Sequence, residues 1–111
     1  TAQAAALASL ADADEHLPPR VALTAAERAM TAAGLRALGL APLPSTANFL
    51  LVDLGSPERA QAVNAALLRR GVIVRPTRAF GAPAALRVTI GLPAENARML
   101  AAMAESLAES P

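Results

Sequence analysis

Leu86-Arg87-Val88-Thr89-Ile90 alternates apolar and polar residues without a break. That period of two predicts a half-buried strand. Leu86, Val88 and Ile90 point to one face, and Arg87 and Thr89 to the other. Gly91 ends the strand and Pro93 opens a final helix, which places Asn96, Leu100, Met103 and Leu107 on one side. Further back, Val72-Ile73-Val74 is β-branched and reads as a second strand, stopped by Pro76. Gly81 and Pro83 mark the loop between these two strands. Phe49-Leu50-Leu51-Val52 is a short apolar run that predicts a buried strand over roughly Ala47 to Leu54. A helix fills the interval. Ser56 caps it, Pro57 takes the first helical position, and Glu58 suits the positive N-terminal end. Ala60, Val63 and Leu67 line its inner face. Arg69, Arg70 and Gly71 close it.

The upstream third is helical by propensity. Thr1 to Leu10 is rich in alanine. Pro18-Pro19 predicts a break, and a second helix runs from about Arg20 to Leu38 with Gly39 as its C-terminal stop. Thr24-Ala25-Ala26-Glu27 fits either a capping box or a helix interior. Leu40 to Ser45 reads as a turn-rich connector. The expected fold is α+β, with a small, mainly antiparallel three-stranded sheet covered by helices.

Composition narrows the function. A chain of 111 residues fits one domain. More than half the residues are apolar, yet Phe49 and Phe80 are the only aromatics and alanine dominates. Small side chains bury little area each, which predicts thin packing and an apolar face meant for another domain or subunit. A net charge of +1, with ten scattered arginines and no aromatic ladder, argues against nucleic acid. No apolar run approaches the ~20 residues of a membrane span. Thr1-Ala2-Gln3 lacks an initiator Met and a basic leader, and reads as the interior of a longer chain. Without cysteine there is no disulfide framework or thiolate metal site, which fits a cytoplasmic location. Lysine is absent, so no side-chain amine can form a Schiff base.

A catalytic centre built from these residues alone is not expected. His16 is the one histidine and reads as a solvated loop residue; a metal site needs several converging ligands. Asp12, Asp14 and Glu15 read as a solvated charge run, and Glu105 and Glu109 as exposed acids one helical turn apart. No Gly-rich phosphate loop is present. Anion binding would therefore fall to arginine, whose guanidinium forks onto carboxylate or phosphate. Arg75 ends the second strand, Arg78 lies in the following loop, and Arg87 is mid-strand. From pattern alone each reads first as an ordinary solvated charge, and Asn48 as a strand-edge amide.

Longer strings carry more information. Pro44-Ser45-Thr46-Ala47-Asn48-Phe49-Leu50-Leu51-Val52 resembles the segment of histidinol-phosphate aminotransferases in which a Pro-Ser-x-x-Asn-Phe stretch opens the small domain's first strand. Leu67 to Pro76 resembles the family's helix-to-strand crossing. Leu86 to Gly91, followed by Pro93-Ala94-Glu95-Asn96, resembles its substrate-arginine strand and closing helix. The segments occur in the family's order and cover roughly Leu38 to Leu107; related decarboxylases of threonine phosphate and aromatic aminotransferases share much of the pattern.

The resemblance implies a C-terminal small domain over residues 38–111, preceded by a helical segment, residues 1–37, that joins it to a large domain. It implies that Arg87 holds a substrate α-carboxylate and that Arg75 lies near the distal, phosphate-binding end. It implies a homodimer, an amino acid or amino phosphate substrate, and pyridoxal phosphate bound mainly by the large domain. Because the lysine and tyrosine expected around that cofactor are missing here, the chain alone is expected to be inactive. The competing expectation is a stand-alone α+β module that binds a small anion or a partner protein.

Overall fold

The computed structural model describes residues 1–109. In chain order the elements are α1 (Ala2–Ala11), α2 (Ala13–Ala37), β1 (Ala41–Pro42), β2 (Phe49–Asp53), α3 (Pro57–Arg69), β3 (Arg75–Pro76), a 3-10 turn (Arg78–Phe80), β4 (Ala85–Thr89) and α4 (Pro93–Glu109). The α+β class is as expected, but the sheet has four strands rather than three. Its order is β1-β2-β4-β3, and every neighbouring pair is antiparallel.

The extra strand comes from the connector. Ala41 and Pro42 pair with Asp53 and Val52. Proline cannot donate to a ladder, so it is tolerated only at an edge, and β1 is an edge. The opposite edge also carries a proline: in β3, Arg75 and Pro76 pair with Arg87 and Leu86. The β-branched run Val72-Ile73-Val74, expected as the strand itself, does not pair. Val74 enters the core while Ile73 is 84% exposed, so the run delivers the chain to the sheet edge only at Arg75. Two-residue, proline-bearing edges leave little template for further pairing.

β4 alternates as its sequence requires. Leu86 and Val88 are buried, Arg87 is half-buried and Thr89 is exposed. The register matches this with Leu50 opposite Val88 and Val52 opposite Leu86 on the inner face. These four pack with Leu35 of α2, Val63 and Leu67 of α3, and Met99 and Met103 of α4. The core is aliphatic throughout; Phe49 is half-buried and Phe80 is 68% exposed. Alanine fills close contacts at Ala32, Ala60, Ala66 and Ala102.

The helix ends follow the local chemistry. The Ser56 hydroxyl accepts from the Arg59 amide at 3.1 Å, with Pro57 as first helical residue. α2 ends in a Schellman motif: Gly39 has φ 79°, its amide donates to the Arg36 carbonyl, and the Leu40 amide reaches the Leu35 carbonyl at 3.1 Å. Thr24 proves to be interior, its hydroxyl donating back to the Arg20 carbonyl at 2.9 Å.

The expected break at Pro18-Pro19 does not occur; α2 continues through both prolines, and His16 is exposed on the helix rather than in a loop. The interruption falls instead at Asp12, with φ −96° and ψ 1°. The prolines remove the helical donors to the Asp14 and Glu15 carbonyls. Both residues are exposed, so water can satisfy those oxygens. From Thr1 to Leu23 only Ala13 is even half-buried, and Leu7, Leu10, Leu17 and Val21 are exposed. Among the described residues no helix is long and apolar enough to cross a membrane.

An ionic clasp joins the C-terminal ends of α3 and α4. Arg70 donates to Glu105 at 2.9 Å and to Glu109, and Arg69 donates to Glu109 at 3.1 Å. Hydrogen bonding from Arg70 holds the Glu109 carboxyl below the usual glutamate range. Its stabilising contribution is therefore complete above the ordinary glutamate pKa and fades as pH falls through the depressed value. Glu109→Gln should flatten the acid limb of a urea-unfolding stability profile while leaving the neutral limb's shape unchanged. An unaltered acid limb would show that the clasp contributes no linkage.

Candidate functional site

The sheet face opposite the helices carries Phe49, Leu51, Arg87 and Thr89. Antiparallel partners share a face, so the register sets Leu51 on one side of Arg87 and Arg75 on the other. The two arginines that sequence reasoning singled out thus stand directly opposite each other across β3 and β4. Like charges in that position oppose pairing. Among the described residues, no carboxylate lies within ion-pair distance of Arg75, Arg78 or Arg87; the acids that do pair with arginine are Glu105 and Glu109, at the clasp.

An open cleft of about 670 Å³ lies beside Arg87. Arg75, Arg78 and Arg87 line it, with Ile73, Pro76 and Thr89. Arg87 is half-buried, and its Nε has no hydrogen-bond partner. A buried guanidinium N–H without an acceptor is costly. Three guanidiniums around one cleft, with no acid to neutralise them, suit a carboxylate or phosphate.

The loop after β3 is shaped by a residue that sequence reasoning missed. Thr77 is buried, with its hydroxyl 2.7 Å from the Ala82 carbonyl and 2.8 Å from the Ala85 carbonyl. Its own carbonyl accepts from the amides of Phe80 and Ala82. These bonds fold the 3-10 turn that sets Arg78 at the cleft and Phe80 behind Arg87. A lone threonine between Pro76 and Arg78 carries no distinctive pattern, so nothing in the sequence marked it.

Ser45 performs a similar task on the other side. Its hydroxyl donates to the Phe49 carbonyl at 2.7 Å and accepts from the Ala47 amide at 3.0 Å. The bend so formed presents the Asn48 carbonyl to the Ile90 amide at 2.8 Å, while the Asn48 residue itself is exposed. His16, Asp12, Asp14 and Glu15 lie on or beside the first turn of α2 and do not line this cleft.

Residues 1–103 match the family model of class I and II aminotransferases. The chain belongs to that family. It is 48% identical over 110 residues to a histidinol-phosphate aminotransferase of Ralstonia nicotianae, and 48% identical over 108 residues to one from Symbiobacterium thermophilum. These alignments cover 98% and 97% of this chain. They cover only 29% of each relative, so the chain spans under a third of their length. The fold agrees. The crystal structure of histidinol-phosphate aminotransferase from Sinorhizobium meliloti, in complex with pyridoxal-5′-phosphate, superposes with a TM-score of 0.87 at 31% identity. That match covers 96% of this chain and 29% of the other.

The residues present do not fit covalent attachment of that cofactor. With no lysine in the chain, no side-chain amine can condense with an aldehyde. What the described residues offer instead is a cleft lined by three arginines.

The opposed guanidiniums should leave a thermodynamic trace. Arg75→Ala should stabilise the fold by roughly 0.2–1 kcal/mol at low salt, by relieving the cross-strand repulsion. The gain should shrink as salt rises. Urea unfolding of both proteins at two ionic strengths checks this, and a loss of stability at low salt would refute the repulsion.

Proposed function

We propose that this chain is the substrate-clamping small domain of a pyridoxal-phosphate-dependent aminotransferase that acts on histidinol phosphate. The observation that carries the reading is the half-buried Arg87, the cross-strand partner of Arg75, which with Arg75 and Arg78 lines a cleft that contains no acid among the described residues. Family membership supports the reaction class, and the likeness to histidinol-phosphate aminotransferases supports the substrate.

In this reading Arg87 forks onto the anionic group next to the reacting carbon, and Arg75 lies towards the distal end of the substrate. Fixing the substrate by its anionic group orients the amino group for transfer to 2-oxoglutarate and lowers the entropic barrier. The cofactor would supply the electron sink, held by residues of the longer protein outside this chain, and the chain alone would be inactive. We assign residues 38–111 to a C-terminal small domain and residues 1–37 to the helical link with a large domain. The last two residues of the first span lie outside the described residues. Leu7, Leu10, Leu17 and Val21 would then be covered by that domain or by the second subunit of a cytoplasmic homodimer.

In the full-length enzyme, Arg87→Ala should lower kcat/KM for histidinol phosphate by about 100-fold or more, as befits the loss of a partly desolvated charged hydrogen bond. Steady-state kinetics decide it, and an unchanged kcat/KM would remove Arg87 from the site. The parent reading frame decides the domain assignment. It should place a lysine-bearing large domain before Thr1; coding sequence for that domain found only after Pro111 would overturn the C-terminal placement.

A further inference from the structure

We infer that Phe49 is a positioning residue that holds the Arg87 guanidinium in its anion-binding orientation. This inference rests on the reading of Arg87 given above. The Phe49 ring lies with its centroid 5.2 Å from the Arg87 Cζ, within the range of a cation–π contact. Phe49 pairs with Thr89 across β2 and β4, on the same face as Arg87. Its backbone is fixed by the Ser45 hydroxyl bonded to its carbonyl.

Arg87 forms the wall between two spaces. On one side is the cationic cleft with Arg75 and Arg78. On the other is a smaller pocket of about 200 Å³, bordered by Phe49, Leu51, Thr77, Phe80 and Ala82. The chain's two aromatic side chains therefore both border this one arginine, although their positions are 31 apart in the sequence.

The choice of an aromatic partner has a chemical consequence. An arginine side chain is long and loses much rotamer freedom when ordered. A carboxylate could hold it, but would occupy the N–H fork and cancel the charge that the ligand needs. A ring face holds the guanidinium plane and leaves every N–H donor free. The absence, among the described residues, of any acid in ion-pair distance of Arg87 fits that division of labour. Phe49 orients, and the ligand supplies the acceptors.

The test compares Phe49→Leu, Phe49→Tyr and Arg87→Ala in the full-length enzyme, by steady-state kinetics with histidinol phosphate and by thermal unfolding. Phe49→Leu should raise KM about fivefold with kcat within twofold and an unchanged Tm, the size expected for one cation–π contact. Phe49→Tyr, which keeps the ring, should restore KM. Should leucine disturb folding, Phe49→Met serves as the second aliphatic variant. If Arg87→Ala raises KM while Phe49→Leu matches wild type, the positioning role is wrong and the clamp stands. If Phe49→Leu lowers kcat and Tm together and tyrosine does not rescue KM, Phe49 is merely structural. If Arg87→Ala changes nothing, or the enzyme does not turn over histidinol phosphate, the underlying functional reading fails and this inference falls with it.

Discussion

Two arginines are cross-strand partners in the β3–β4 register, and the rest of the site follows from how the fold sustains that placement. A sheet that set Arg75 opposite Arg87 without other support would lose stability at its edge. Here the inner face of β4 supplies the support. Leu86 and Val88 are buried against three helices, and β2 adds five paired residues on the far side. Apolar burial at about 25 cal/mol per Å² outweighs one screened repulsion between partly solvated charges. The repulsion therefore persists as a local feature that a bound anion would relieve.

The same alternation explains why binding chemistry appears on one face only. A period of two sends Leu86 and Val88 of β4 inward and Arg87 and Thr89 outward. The outer face has no covering helix within the described chain, and it holds the cleft. Arg87 could not move to either adjacent position without facing the core. A one-residue slip of β4 would turn Arg87 towards the core and expose Leu86 and Val88, so the register of β4 is a condition of stability.

Much of this was readable from the sequence where the signal is local. The β4 alternation, the Ser56–Pro57–Glu58 start of α3 and the glycine ends of α2 and α3 each depend on residues within one turn or strand, and each appears as expected. The failures share a different cause. Ala41–Pro42 becomes a strand only because Asp53 and Val52 lie beside it, a non-local partner that propensity cannot register. Val72-Ile73-Val74 has the composition of a strand but reaches the sheet too late to pair. Pro18 and Pro19 would break a helix pressed against a core, yet they sit in one whose freed carbonyls face solvent. For the site, Arg87 and Arg75 were legible as candidates, whereas their cross-strand pairing, the Thr77-braced turn and the Phe49 stack required the register and the loop path.

The helical arm is bound to this same corner of the sheet by two consecutive residues. Arg28 donates to the Ala47 carbonyl at 2.9 Å, just before β2 begins. Glu27 accepts from the Asn96 amide at 2.8 Å, and Asn96 in turn brackets Gly91, just after β4 ends, through its carbonyl and its amide. Phe49 and Thr89, the terminal partners of β2 and β4, lie between these two anchors. The buried Asn96 is fully engaged by this arrangement, so its loss would strand the Gly91 amide as well as free Glu27. Upstream of residue 27 the arm has almost no buried surface of its own. Its orientation relative to the sheet is therefore set mainly at Glu27 and Arg28 and by the packing of Thr31, Ala32 and Leu35 that follows. The exposed Leu7, Leu10, Leu17 and Val21 of the arm and the arginine cleft are consequently held in one frame, joined at the end of the strand pair from which Phe49 reaches Arg87.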